Sequence, residues 1–202
     1  MKKSFGFILS LGLLTLIGAQ IVTAAQQAPA PSADKTAPSY DLKAQAILDL
    51  QDLQKKFTSL AEVIPTEKYS YRPAEGVRSI NELFLHVAAA GFNFPTLKGT
   101  APFPGFDAKD FEKSTSDKAK IVDWLNKSFT YAVASVQSMS NADFAKLLPK
   151  LGPDANEGDV VYLMVVHFHE HLGQSIAYAR ANGIVPPWTA AALKKNPKTT
   201  QD

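Results

Sequence analysis

The chain of 202 residues contains no cysteine. This absence excludes a disulfide-stapled scaffold, a zinc ribbon, a Cys-ligated iron–sulfur centre, a thiol nucleophile and a lipid anchor attached through cysteine. No other strong bias is present, because 46% of the residues are hydrophobic and 20% are charged. Collagen-like and wholly disordered chains are therefore also excluded. A chain of this length can bury a core without covalent staples.

The sequence also has little excess of either charge. There are 21 Lys and Arg residues against 19 Asp and Glu residues, and Lys2 and Lys3 account for the whole difference. A chain that is neutral beyond its first residues gives no electrostatic argument for binding nucleic acid. We therefore expect a small-molecule substrate and no nucleic acid partner.

Residues 1–24 are typical of a secretory signal peptide. Lys2 and Lys3 precede an uncharged apolar run from Phe5 to Ile17, and Val22-Thr23-Ala24 supplies small residues at the usual cleavage spacing. We expect cleavage after this segment, export to the periplasm or the exterior, and no membrane attachment afterwards. The alternative is an uncleaved anchor, since the charge-free residues 4–27 are just numerous enough to span a bilayer.

The rest of the sequence predicts an all-α chain. Residues 25–39 are rich in Ala, Pro and Gln and predict a flexible linker. Apolar residues three or four apart then predict a first helix over about residues 40–60. A capping box formed by Ser79 and Glu82 begins a second helix, which we expect to end at Gly91.

Two further helices complete a predicted four-helix bundle over residues 40–188. Ser116-Asp117 begins a helix that ends near Met139, and the last helix covers about residues 157–182, with Gly183 in the usual capping position. Prolines and phenylalanines over residues 92–113 predict a long ordered loop. Its phenylalanines either line the mouth of a pocket or only seal the bundle; they are Phe92, Phe94, Phe103 and Phe106. Residues 189–202 predict a frayed tail.

All four histidines lie in the second and fourth predicted helices. His167 and His171 are four residues apart, so they differ by only about 40° around the helix and share a face, whereas His169 projects about 200° from His167. His86 would complete a set of three ligands if the two helices face each other. Three histidines with one open position are typical of a catalytic zinc site, although nickel, iron and manganese also bind imidazole. The alternatives are a surface pair and a core histidine bonded to a carbonyl.

Polar neighbours on the same helix faces are further candidates. Gln174 follows His171 by one turn, and Glu170 lies about 60° from His167, at the expected rim of the site. We take Glu170 and Gln174 as candidate catalytic residues, with Gln174 first. Glu82 and Asn93 lie on the face of His86, where such groups orient imidazoles or touch a substrate. Each of these residues has a capping or solvated role as its alternative.

Two segments resemble the DinB-like (YfiT-like) superfamily of metalloenzymes. HFHEHLGQSIAYARANGIVPPW (167–188) has its His-x-x-x-His pair followed by a Gly-Gln step, and YRPAEGVRSINELFLHVA (71–88) is similar to its Ser-capped helix with the third histidine. The likeness covers about residues 40–188. It departs at Leu172, where many relatives have Arg.

The resemblance implies a four-helix bundle that holds a divalent metal, first of all zinc, through His86, His167 and His171, with His169 outside the ligand set. Relatives include thiol S-transferases and isomerases. The leading hypothesis is thus an exported metal-dependent enzyme of the hydrolase or thiol-transferase type. The alternatives are a non-catalytic metal-binding or stress-related bundle and a metal-free interaction module. A homodimer is compatible with each of these hypotheses.

Overall fold

The computed structural model describes residues 41–195, and the secondary structure in this range is helical apart from one isolated bridge between Leu147 and Asn156. The α-helices are α1 (Leu42–Val63), α2 (Ile80–Leu97), α3 (Lys118–Gln137), α4 (Glu157–Ala181) and α5 (Pro187–Lys195). The predicted all-α fold is confirmed. The predicted signal peptide and linker lie outside the described residues. Within the described range, no helix combines the length and apolar character needed to cross a bilayer.

Side-chain caps fix where the long helices begin. Asp41, Ser79, Asp117 and Asn156 each accept a hydrogen bond from a backbone N–H three residues later. In the predicted capping box of α2, the carboxylate of Glu82 also accepts from the backbone N–H of Ser79 at 3.0 Å. Each cap satisfies amides that the helix itself leaves unpaired, so these starting points follow from local sequence alone.

One phenylalanine from each long helix meets in the core. Phe57 of α1, Phe84 of α2, Phe129 of α3 and Phe168 of α4 are fully buried. The ring centroids of Phe129 and Phe168 are 4.8 Å apart, and those of Phe57 and Phe129 are 5.6 Å apart. Burying a side chain of this size stabilises the fold by about 1.5–3 kcal/mol. With Phe168 directed into this core, its neighbours His167 and His171 lie along the border of α4 with α2.

The predicted end of α2 at Gly91 is wrong. The helix continues to Leu97 and includes Pro95, so residues 92–97 are helical and the loop is shorter than expected. Proline removes one helical hydrogen bond, but Pro95 lies in the last turn and both it and Phe92 are buried. Gly91 does not end the helix but lies where α2 packs against α3. A Cβ placed there would be 2.9 Å from Ser128 Cβ of α3. The absence of a side chain therefore lets α2 and α3 approach closely.

The prediction of a frayed tail from residue 189 is also wrong over its first part. Residues 187–195 form α5, which contacts α1. Proline is favourable in the first turn of a helix, because its missing N–H would be unpaired there. The half-buried Trp188 packs against the core and anchors the helix. This anchoring contact is tertiary, and composition alone did not indicate it.

Candidate metal centre

Helices α2 and α4 bring three histidines together. His86 comes from α2, His167 and His171 come from α4, and their potential ligand atoms all lie within 4.8 Å of one another. The Nε2 atoms of His86 and His171 are 3.1 Å apart. His169 is exposed on the outer side of α4 and is not part of this cluster. The structure thus brings together the three histidines that were predicted from the sequence as metal ligands.

Two hydrogen bonds select which ring nitrogen carries the hydrogen in His86 and His171. The Nδ1 of His86 is 2.7 Å from Oε1 of Glu112, and the Nδ1 of His171 is 2.9 Å from Oε1 of Gln174. A carboxylate or amide oxygen only accepts, so each Nδ1 carries the hydrogen and donates it. In the neutral imidazole the lone pair on Nε2 is then free, and the Nε2 atoms of His86 and His171 face each other. This is the usual arrangement of a histidine that ligates a metal through Nε2.

The cluster fits a bound cation. Two imidazole nitrogens on one tetrahedral zinc ion are about 3.3 Å apart, given zinc–nitrogen bonds of about 2.0–2.1 Å, and the observed Nε2 separation of 3.1 Å is close to this value. Nε2 of His167 is buried and has no hydrogen-bond partner in the described part of the chain. An orphaned buried polar atom costs about 1–3 kcal/mol. A cation shared by the three nitrogens would remove both this cost and the repulsion between the facing lone pairs.

Burial keeps two of these imidazoles neutral. Desolvation lowers the pKa of His167 to about 4, and the neighbouring His171 and His86 act in the same direction. Desolvation also lowers the pKa of His86, although its hydrogen bond to Glu112 opposes this effect. Neutral imidazole is the form that binds metal. Both residues are therefore in the ligating state at neutral pH.

Glu112 is the functional residue that sequence reasoning missed. It lies in a short 3-10 turn, Phe111–Lys113, which follows Asp110 in the left-handed conformation with φ 55°. Arg78 holds its carboxylate, donating from Nε to Oε2 at 2.6 Å and from Nη2 to Oε1 at 3.1 Å. Partial burial raises the pKa of Glu112, but the hydrogen bonds from Arg78 and His86 outweigh it and hold the pKa below its ordinary value. Nothing local in the sequence distinguishes Glu112 from other loop acids.

Of the other candidate residues predicted from the sequence, one lies beside the histidine cluster and two have other positions. Gln174 lies beside His171 as predicted, and its Nε2 donates to the hydroxyl of Tyr178 at 3.0 Å. Glu170 is exposed on α4 and does not line the cleft beside the histidines. Glu82 receives two hydrogen bonds from Arg72, each at 2.6 Å, and so it braces the start of α2.

A largely apolar cleft of about 310 Å³ opens beside His86 and His167. Its other lining residues are Ala89, Ala90, Asn93, Phe94, Leu97, Ala108 and Glu112. Of the predicted loop phenylalanines, only Phe94 lines this cleft. Phe92 stacks near Phe103 and Phe106, with centroid distances of 4.6 and 4.7 Å, so these three rings seal the bundle.

On its other side, Glu112 borders a polar depression of about 600 Å³. The depression is lined by Arg72, Gly76, Val77, Arg78, Glu82, Lys113 and Gln174 as well. Glu112 is therefore common to the apolar cleft and the polar depression, and Gln174, the partner of His171, lines the depression. The remaining nominated residue, Asn93, contributes a polar group to the apolar side.

Solved structures share this fold. A DinB-like protein from Bacillus cereus ATCC 10987 is 16% identical, with a TM-score of 0.61 over 71% of this chain and 95% of its own. A conserved protein from Enterococcus faecalis is 13% identical, with a TM-score of 0.58 over 70% and 97%. YfiT from Bacillus subtilis, described as a probable metal-dependent hydrolase with an unusual four-helix bundle topology, is 18% identical, with a TM-score of 0.57 over 75% and 93%. These likenesses establish the four-helix bundle.

The sequence itself matches a family model. A search of curated proteins finds no match, but the model of the DinB superfamily matches residues 49–175. This range is more than half of the chain and contains all three clustered histidines. The chain belongs to the DinB superfamily.

Proposed function

We propose that this protein is an exported, divalent-metal-dependent enzyme of the hydrolase type that acts on a small molecule. One observation carries the proposal: three imidazoles meet with their potential ligand atoms within 4.8 Å of one another, beside an apolar cleft. No other His, Asp or Glu of the described residues joins the cluster, which leaves a position for water or substrate. The description of YfiT as a probable metal-dependent hydrolase agrees with this proposal.

In the proposed reaction the metal, the hydrogen-bond partners of the histidines and the apolar wall of the cleft have separate roles. A zinc ion held by His86, His167 and His171 would lower the pKa of a bound water from its bulk value to about 7 and would so supply a nucleophile at neutral pH. Glu112 and Gln174 hold the Nδ1–H groups of His86 and His171 and so fix the direction of their Nε2 lone pairs. Phe94 and Leu97 offer an apolar wall to the substrate.

The native metal is proposed from the donor set. Three imidazoles suit zinc first, and nickel, iron and manganese remain alternatives because they accept the same ligands. Elemental analysis of protein purified without a His tag distinguishes these ions. The measurement also tests the site, because it requires about one equivalent of metal per chain.

The matched pair His167→Ala and His169→Ala tests the proposed function. Both residues lie on α4, two positions apart, but only His167 belongs to the cluster. We expect His167→Ala to lose bound metal and hydrolysis of ester and amide substrates, and His169→Ala to retain both. Transfer of a thiol to an electrophile without hydrolysis would instead assign the thiol-transferase type.

Two results would contradict the proposal. Tight metal binding without turnover would make the protein a non-catalytic metal-binding bundle. Absence of metal from protein isolated under mild conditions, with no uptake on addition, would remove the basis for the site itself.

A further inference from the structure

The outward face of α4 carries exposed apolar side chains that the candidate site does not use. Tyr162 is 68% exposed, Leu163 51% and Val166 41%. The exposed residues along this face recur every three or four positions, which places them within an arc of about 100°. We call this row the α4 seam; it consists of Asp159, Tyr162, Val166, His169, Gly173, Ala177 and Arg180.

The described part of the chain leaves the seam uncovered. Helices α1 and α2 pack against α4 through its buried residues, such as Met164 and Phe168. A Cβ added at Gly173 would meet no atom within 4 Å. Exposed apolar surface of this kind, framed by polar groups, is characteristic of an interaction site.

The sizes of the seam residues match when the helix is laid against a reversed copy of itself. Consider two antiparallel copies of α4 whose two-fold axis passes between His169 and Glu170. Tyr162 of one copy then lies opposite Ala177 of the other, and Val166 lies opposite Gly173. Each large side chain then faces a small one, so the two helices can approach closely. The spacing of three and four residues is also that of helices that pack along a seam.

The charges match in the same register. Asp159 lies opposite Arg180. Neither Asp159 nor Arg180 forms an ion pair within the described residues. Oδ2 of Asp159 accepts from the backbone N–H of Asn156 at 2.9 Å, which leaves Oδ1 for the guanidinium of a partner's Arg180. A parallel arrangement would instead place Asp159 on Asp159 and Arg180 on Arg180. The face is therefore complementary to itself only in the antiparallel sense, as a two-fold interface requires.

We propose that a second copy of this chain binds along the α4 seam, antiparallel, about a two-fold axis between His169 and Glu170. The interface would also place His169, which lies outside the metal cluster, beside the two-fold axis. It is also independent of the proposed function, because the seam residues point away from the histidine cluster and the test needs no metal or substrate.

Sedimentation of the wild-type chain and two matched variants tests the interface. Tyr162→Arg places a charge in the seam, and Leu48→Arg makes the same kind of change at a comparably exposed site on α1, where Leu48 is 60% exposed. We expect a wild-type dimer, dimerisation at least about tenfold weaker in Tyr162→Arg, and no weakening in Leu48→Arg. A tenfold change corresponds to about 1.4 kcal/mol.

Gly173→Leu separates loss of the dimer from loss of the fold. Leucine is a better helix former than glycine, and there is open space at this position, so the monomer should stay folded by circular dichroism. The same side chain would collide with Val166 of the second copy. We therefore expect a folded monomer.

Cross-linking tests the register, and the absence of native cysteine makes the result unambiguous. The double variant Tyr162→Cys/Ala177→Cys should form a covalent dimer on mild oxidation. The two positions are about 22 Å apart along one helix, so they cannot join within a chain. Either single variant should remain uncrosslinked, because identical positions are equally far apart in the antiparallel pair.

Three outcomes would overturn the proposal. They are a wild-type monomer up to concentrations on the order of 100 µM, a dimer that Tyr162→Arg and Gly173→Leu leave intact, and cross-linking of the single variant Tyr162→Cys, which would indicate a parallel pair.

Discussion

At the scale of single residues, the histidine cluster depends on groups that do not belong to it. Glu112 and Gln174 determine which nitrogen of His86 and His171 keeps its hydrogen. Arg78 in turn holds Glu112. Orienting partners of this kind are worth about 10–100-fold in metal affinity.

The first prediction concerns these orienting partners. Gln174→Ala should leave α4 folded, because alanine is the better helix former, but should raise the dissociation constant of zinc about 10–100-fold. Glu112→Gln should have a similar effect, since it removes the charged acceptor of the His86 hydrogen. Competition with a chromophoric chelator measures the affinity.

Glu170→Gln is the matched control, because Glu170 is an exposed acid on the same helix as Gln174. Its affinity for zinc should equal that of the wild type. Unchanged affinity in Gln174→Ala would assign Gln174 a packing role only.

A second prediction at the scale of residues concerns the loss of stability at acid pH. The hydrogen bonds from Arg72 lower the pKa of Glu82 to about 2, below its ordinary 4.5. A carboxyl with a depressed pKa in the folded state stabilises the protein above its unfolded pKa, and this contribution is lost as pH falls through the folded pKa. We expect the free energy of unfolding of the metal-free protein to decline between pH of about 4.5 and 2, and less steeply in Glu82→Gln.

Urea unfolding at several pH values measures this slope. Glu75→Gln, at an exposed acid without an ion pair in the described residues, serves as the comparison and should follow the wild type. Identical slopes for Glu82→Gln and the wild type would show that the Arg72 pair does not contribute.

At the scale of the elements, two glycines in helices have opposite roles. An alanine Cβ at Gly91 would lie 2.9 Å from Ser128 Cβ, whereas one at Gly173 would meet nothing within 4 Å. Glycine in a helix costs about 1 kcal/mol relative to alanine, and overpacking costs about 1–3 kcal/mol. At Gly91 the close contact between α2 and α3 therefore determines whether an alanine stabilises or destabilises the protein.

We accordingly predict opposite effects of the same substitution. Gly91→Ala should lower the free energy of unfolding by about 1 kcal/mol or more, and Gly173→Ala should raise it by up to about 1 kcal/mol. Urea unfolding at low protein concentration checks both. A stabilised Gly91→Ala would mean that the two helices are not in close contact at this position.

At the scale of the whole molecule, a metal at the cluster would join α2 to α4 across residues 85 positions apart in sequence. A ligand that binds only the folded state stabilises it, by about 2.7 kcal/mol at one hundred times its dissociation constant. We predict that zinc raises the midpoint of thermal unfolding and that a chelator reverses the rise. His86→Ala should abolish the response, while His169→Ala should preserve it. Equal responses in these two variants would contradict the site.

Export is a separate prediction for the whole chain. The basic start at Lys2-Lys3 and the small residues Val22-Thr23-Ala24 predict removal of the first 24 residues. Intact-mass measurement on protein from its native host should show a new N-terminus near Ala25 or Gln26. A full-length product in the cytoplasm would contradict export.

The sequence by itself determined the local features of this protein. The starts of α2 and α4 follow from capping contacts that reach only three residues along the chain. The shared face of His167 and His171 follows from the helical repeat alone. The all-α class follows from apolar spacing, and the position of Gln174 beside His171 follows from the same geometry.

Only the tertiary structure decided which distant residues meet. Glu112 lies 26 positions from His86, in a turn without helical periodicity, so no local pattern could place it there. Gly91 packs closely on Ser128 of another helix and does not end α2, and Trp188 of α5 packs against the core. Each of these features rests on contacts between residues far apart in sequence, and local propensity does not encode such contacts.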